Sequence, residues 1–211
     1  VRAYEWNGLS WNQKGNDIDG EASGDMSGYS ISMSNDGNTL AISAIYNDAA
    51  GISAGHVRIY EWINASWSQK GNDIDGEAAD DLSGYSVCLS GDGSIVAISA
   101  KENDGSALDA GHVRVYENSG GNWVQTGQDI DGESNDDESG FSISLNGTGK
   151  IIAIGARYND GGGSIDLEEM FAKIRYFIKG VGCTVILVDP LHTAIKNLSN
   201  ENIEEVMDRF I

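Results

Sequence analysis

Residues 83–104 read SGYSVCLSGDGSIVAISAKEND. Two short apolar runs flank Gly91-Asp92-Gly93, and Asp-Gly between such runs signals a hairpin, because the turn needs positive φ. The first run alternates: Tyr85, Val87 and Leu89 fall on one face, and Ser86, Cys88 and Ser90 on the other. That period of two is a strand pattern. The same stretch occurs 56 residues earlier as SGYSISMSNDGNTLAISAIYND (27–48) and 56 residues later as SGFSISLNGTGKIIAIGARYND (139–160).

The repeat extends beyond the hairpin. Val1, Val57 and Val113 open three copies, 1–56, 57–112 and 113–164. Trp11, Trp67 and Trp123 correspond, as do Gly28, Gly84 and Gly140, and Asn47, Asn103 and Asn159. No insertion breaks the register. Ahead of each hairpin lie two more strand candidates, in the second copy HVRIYEW (56–62) and SWSQKGNDI (66–74), separated by a turn at Asn64 and Ala65. The expected fold is therefore mainly β, with three four-stranded antiparallel propeller-type blades and a C-terminal α/β helix–strand–helix segment. A blade cannot bury both of its faces alone, so neighbours must stack on it. The serine face suits close stacking of sheets or a wet channel.

The three hairpin stretches resemble the FG-GAP repeats of integrin-like β-propellers, and Ile154-Gly155-Ala156 in the third copy is nearest to the pattern. The resemblance covers 1–164. It implies a partial propeller serving adhesion, ligand recognition or scaffolding, with a protein or glycan ligand. Three blades do not close a ring, and a homodimer of two copies would give six.

A heptad recurs with the blade: GNDIDGE at 15–21 and 71–77, GQDIDGE at 127–133. Two readings are open. Alternating carboxylates before a glycine suit a calcium loop, with Asp17 and Asp19, Asp73 and Asp75, and Asp129 and Asp131 as ligands. Glu21, Asp25, Glu77 and Glu133 are possible helpers. Against this, the first loop position is not Asp and the twelfth (Met26 in the first copy) is not Glu. Integrin-like calcium loops sit in the central hairpin, which here is a bare turn. The other reading is a solvated turn.

His56 and His112 share one repeat position, which argues a structural role such as a hydrogen bond closing the blade. The tryptophans are expected to pack blades. The Asn-Asp pairs after the last strand are expected to cap turns. Gly147-Thr148-Gly149-Lys150 lacks the spacing of a phosphate loop and aligns with hairpin turns. Cys88 stands where other copies carry Ser32 and Ser144, so it reads as a small strand residue. The formal charge of -20 and pI near 4.2 argue against nucleic acid as partner of the propeller part. No run approaches the roughly 18 apolar residues of a membrane span.

After Ser164 the pattern changes. DLEEMFAKIRYFIKG (166–180) has helical spacing, CTVILVD (183–189) reads as a buried strand, and NENIEEVMDRFI (200–211) as a second amphipathic helix. Residues 165–211 resemble the Walker B region of the RecA-like core of replicative DnaB-type helicases. The resemblance implies that Asp189 is the acid that orients magnesium-ATP, with His192 loosely matched. The 211 residues contain no Walker A loop, so this segment alone would not be an ATPase. The second functional reading is accordingly a helicase fragment joined to propeller repeats. The propeller would place the chain outside the cell, the helicase inside.

Overall fold

The computed structural model describes residues 1–159, and the chain divides after Gly163. The expected helix–strand–helix segment, with Cys183, Asp189 and His192, lies outside the described residues. Within them the protein is all strand and turn.

Two complete antiparallel sheets carry the architecture. The first runs β3 (Ile31–Met33), β4 (Thr39–Ala44), β5 (His56–Ile63), β6 (Ser66–Gln69), and the short β7 (Ile74–Asp75) pairs with the start of β5. The second repeats this as β8 (Val87–Leu89), β9 (Ile95–Ala100), β10 (His112–Ser119), β11 (Asn122–Gln125) and β12 (Ile130–Asp131). The registers agree: Ala41 faces Ile59, and Ala97 faces Val115. Two hairpins flank the complete sheets, β1 (Tyr4–Trp6) with β2 (Trp11–Gln13) and β13 (Ser139–Leu145) with β14 (Ile152–Ala156). The predicted strand at 66–74 is broken, and its two ends become β6 and β7.

Sheets and sequence repeats are out of phase. Each complete sheet takes its first two strands from one copy and its remaining strands from the next. Consecutive copies are thereby woven together, as in a one-dimensional stack. The hairpin turns form as the sequence predicts, with Gly37, Gly93 and Gly149 at φ of 67°, 68° and 70°.

The core lies between sheets. Ala41, Val57, Ile59 and Ile74 of the first sheet pack with Val87, Leu89, Val96, Ile98 and Tyr116 of the second. Strand alternation turns Leu40 and Ile42 to the opposite face, where they meet Ile18 and Tyr60. Because both faces are covered, β4 and β9 read as nearly continuous apolar runs.

The serine face has a specific task. Outer N–H groups of β8 would otherwise be unpaired, because β8 is an edge strand. Val87 N–H donates to Ser30 Oγ (3.1 Å) and Leu89 N–H to Ser32 Oγ (2.9 Å). One copy later Ile143 N–H donates to Ser86 Oγ (3.3 Å) and Leu145 N–H to Cys88 Sγ (3.2 Å). Cys88, a free thiol, occupies a serine position and does the serine's work. The hairpin turns link with the opposite polarity, the earlier copy donating: Asn35 N–H to the Gly91 carbonyl and Gly91 N–H to the Gly147 carbonyl, both 2.8 Å. Two tryptophans lock the outer strands, Trp67 Nε1–H to the Lys14 carbonyl and Trp123 Nε1–H to the Lys70 carbonyl.

Candidate functional site: the junction between copies

The heptad sits beside the start of the long strand. Its isoleucine is the anchor: Ile18 and Ile74 are buried, and Ile74 lies opposite Val57 in the sheet. The third-position aspartate then turns back toward the preceding strand's glutamine. Gln13 Nε2 donates to Asp17 Oδ1 (2.7 Å), Gln69 to Asp73 Oδ1 (2.5 Å) and Gln125 to Asp129 Oδ1 (2.5 Å).

The other oxygens meet a histidine. His56 is 1% exposed at the start of β5, and its Nδ1 lies 3.7 Å from Asp73 Oδ2 and 3.7 Å from Glu21 Oε2. The Nδ1 is buried and has no hydrogen-bond partner. At the next junction His112 Nδ1 lies 3.5 Å from Asp129 Oδ2 and 4.0 Å from Glu77 Oε2. The aspartate of one heptad thus faces the glutamate of the preceding heptad. These are the two groups of His and carboxylate ligand atoms lying within 4.8 Å of one another among the described residues.

An arginine borders each group. Arg58 Nη2 donates to the Asp19 carbonyl (2.9 Å), and its Nη1 lies 3.7 Å from Glu21 Oε1. Arg114 repeats this with the Asp75 carbonyl (3.1 Å) and Glu77 Oε1 (3.0 Å). Both guanidinium groups stand over a ring, Tyr60 and Tyr116. Burial pushes both imidazoles below their ordinary pKa. The facing carboxylates oppose that shift, and the arginines add to it. The hydrogen bond expected at the histidine is therefore not made by His56 Nδ1.

The six aspartates predicted as metal ligands separate. Asp73 and Asp129 join the histidine groups, while Asp17 Oδ2 lies 3.6 Å from Arg2 Nε. Asp19 and Asp75 present their carbonyls to arginine, and Asp131 is an exposed residue of β12 opposite His112. The central hairpin's aspartates are engaged within their own turns. Asp92 Oδ1 accepts from Ser90 Oγ (2.7 Å), Ser94 Oγ (2.7 Å) and Ser94 N–H (3.0 Å). These bonds hold its carboxyl down at about 2. The folded value is depressed, so this contribution to stability is full above the unfolded value near 3.9 and fades as pH falls through about 2. Ser90→Ala is expected to raise the Asp92 pKa toward its ordinary value, read from its carboxyl NMR titration.

The Asn-Asp pairs of the first two copies cap turns and do more, while Asp160 of the third pair lies outside the described residues. Asn47 Oδ1 accepts from Ala49 N–H, and its Nδ2 donates to buried Asp25 (3.0 Å). Asn103 does the same with Gly105 N–H and Asp81 (2.9 Å).

One surface feature is absent from the sequence expectations. Tyr29, Tyr85 and Phe141 form a row across three neighbouring hairpins, with ring centroids 5.3 and 5.4 Å apart. Lys101 Nζ stands 5.0 Å over Tyr85, and the Arg157 guanidinium 5.0 Å over Phe141. None of the three rings is buried. Their identical repeat offset was the available signal. A shallow depression beside the first heptad, lined by Asn16, Asp17, Ile18, Asp19, Tyr60, Ser66 and Trp67, is polar and open. Among the described residues no helix is long and apolar enough to cross a membrane. No family model matches the chain, and no curated protein matches it.

Proposed function

We propose that the chain is a non-enzymatic binding or scaffolding module built from FG-GAP-like propeller repeats. The observation that carries this reading is the row Tyr29–Tyr85–Phe141, three accessible rings at one repeat position with cations beside two of them. Rings that are at least partly exposed, with neighbouring hydrogen-bond donors, suit the apolar faces and hydroxyls of a glycan, and equally the rim of a protein partner. The test is NMR titration with a panel of soluble oligosaccharides and with candidate protein ectodomains. Shifts centred on the three rings, lost in Tyr85→Ala, are expected. Binding that leaves these rings unperturbed contradicts the reading.

The same proposal includes a homodimer with six blades. In the complete sheets the counterparts of β14, namely β4 and β9, each lie between two strands; among the described residues β14 pairs with β13 alone, and β1 with β2 alone. A second copy's β1 placed on β14 in the β9–β10 register sets Ile152 opposite the partner subunit's Tyr4. Such strand addition supplies main-chain hydrogen bonds. Light scattering, with chelator and with added calcium, is expected to give the mass of two chains, and a monomer in both conditions contradicts the dimer.

A further inference from the structure

We infer that each junction between copies binds one divalent transition-metal ion of the zinc class. Glu21, His56 and Asp73 hold the first ion, and Glu77, His112 and Asp129 the second.

The ligand separations suit a tetrahedral ion. Two ligands on one tetrahedral ion, with bonds of about 2.0–2.2 Å, sit about 3.3–3.6 Å apart. The imidazole-to-carboxylate separations of 3.7 and 3.7 Å, and of 3.5 and 4.0 Å, fall close to that spacing. They are too long for good N–H···O hydrogen bonds. A buried nitrogen without a partner is costly, and His56 Nδ1 is such a nitrogen, aimed between two carboxylates. An ion between the three atoms satisfies it.

The surroundings are arranged for this. Each carboxylate uses one oxygen for a positioning donor and turns the other to the histidine. Gln69 holds Asp73 by Oδ1, leaving Oδ2, and Arg58 lies by Glu21 Oε1, leaving Oε2. Gln125 and Arg114 repeat the pattern at the second junction. Outer groups of this kind orient metal ligands. Glu21 Oε2 has one further contact, a long one of 3.4 Å from Asn47 Nδ2. Glu21 and Asp73 are 44% and 28% exposed, so an ion can enter and a water can complete the coordination. The nitrogen donor favours a zinc-like ion over calcium, which takes oxygen ligands. Among the described residues Asp17 Oδ2 faces Arg2, the repeat counterpart of Arg58, and no histidine.

The test uses the full chain, stripped with chelator and titrated with zinc by calorimetry at pH 7. His56→Gln and His112→Gln are each expected to remove one ion per chain from the stoichiometry, and the double variant two. Gln69→Ala is expected to keep the first site but weaken it about 10- to 100-fold. Zinc should also shift the Nδ1 resonances of both histidines, and calcium should not. Circular dichroism checks each fold, and Glu21→Gln on the exposed rim replaces His56→Gln if that variant unfolds. Unchanged stoichiometry in the double variant, or no zinc binding by the stripped wild type, overturns the inference.

Discussion

Gly111→Ala will lower the stability of the fold by about 4 kcal/mol, combining a left-handed backbone penalty with forced movement of neighbouring main chain. Gly111 has φ +72°, and an added Cβ would lie 2.3 Å from the Ser139 carbonyl oxygen, 2.8 Å from Ser139 N and 2.8 Å from the Lys101 carbonyl oxygen. All three obstacles are backbone, so none can rotate away. Gly55 repeats the arrangement one copy earlier, with φ +74° and Ser83 O at 2.3 Å, and Gly55→Ala is expected to cost a similar amount. Each glycine precedes a junction histidine and lets the next copy's first hairpin approach. By contrast Gly120, at φ +62° with open space around it, should cost only about 1–2 kcal/mol as alanine. Urea unfolding of the three variants checks the ranking, and equal losses at Gly111 and Gly120 would show that close approach contributes nothing.

Ile98→Ala is expected to cost about 2–5 kcal/mol. Ile98 is 2% exposed, at the centre of the core shared by the two complete sheets. Its removal takes apolar surface out of contact on both sides, and the sheets cannot close the gap without breaking the serine links at Val87 and Leu89. Ile31 is the control. It belongs to the same strand alphabet but is 55% exposed on β3, and Ile31→Ala should stay within about 0.5 kcal/mol. Chemical denaturation reads both. Similar losses at the two positions would mean that the inter-sheet core does not carry the stability.

Much of the fold is legible in the residues, because the turn chemistry and period of two recur three times. The Asp-Gly hairpins, the alternating serine face and the apolar runs of β4 and β9 all follow from local rules. The phase of the sheets does not. A repeat has no beginning, so counting from Val1, Val57 and Val113 cannot reveal that β5 joins β4 of the preceding copy. The same blindness hid the junction site. Asp17 with Asp19, or Asp73 with Asp75, look like partners because they are two residues apart. In a strand-like segment, however, neighbours interact across the sheet rather than along the chain. Asp73 meets Glu21 and His56, which lie 52 and 17 residues earlier in the sequence. The aromatic row was hidden in a similar way, since each ring is isolated in sequence and becomes a row only on stacking.

Neighbouring sheets are joined through serine oxygens, and at Cys88 a sulfur, that accept from the edge-strand amides of the next copy. Native-state hydrogen exchange at Leu89 tests it most directly, comparing wild type with Ser32→Ala. Leaving that donor unsatisfied costs about 1–3 kcal/mol, so the Leu89 amide should exchange roughly tenfold faster or more, beyond any change in global stability measured at β9 amides. A Leu89 amide equally protected in both proteins would contradict the stacking described here.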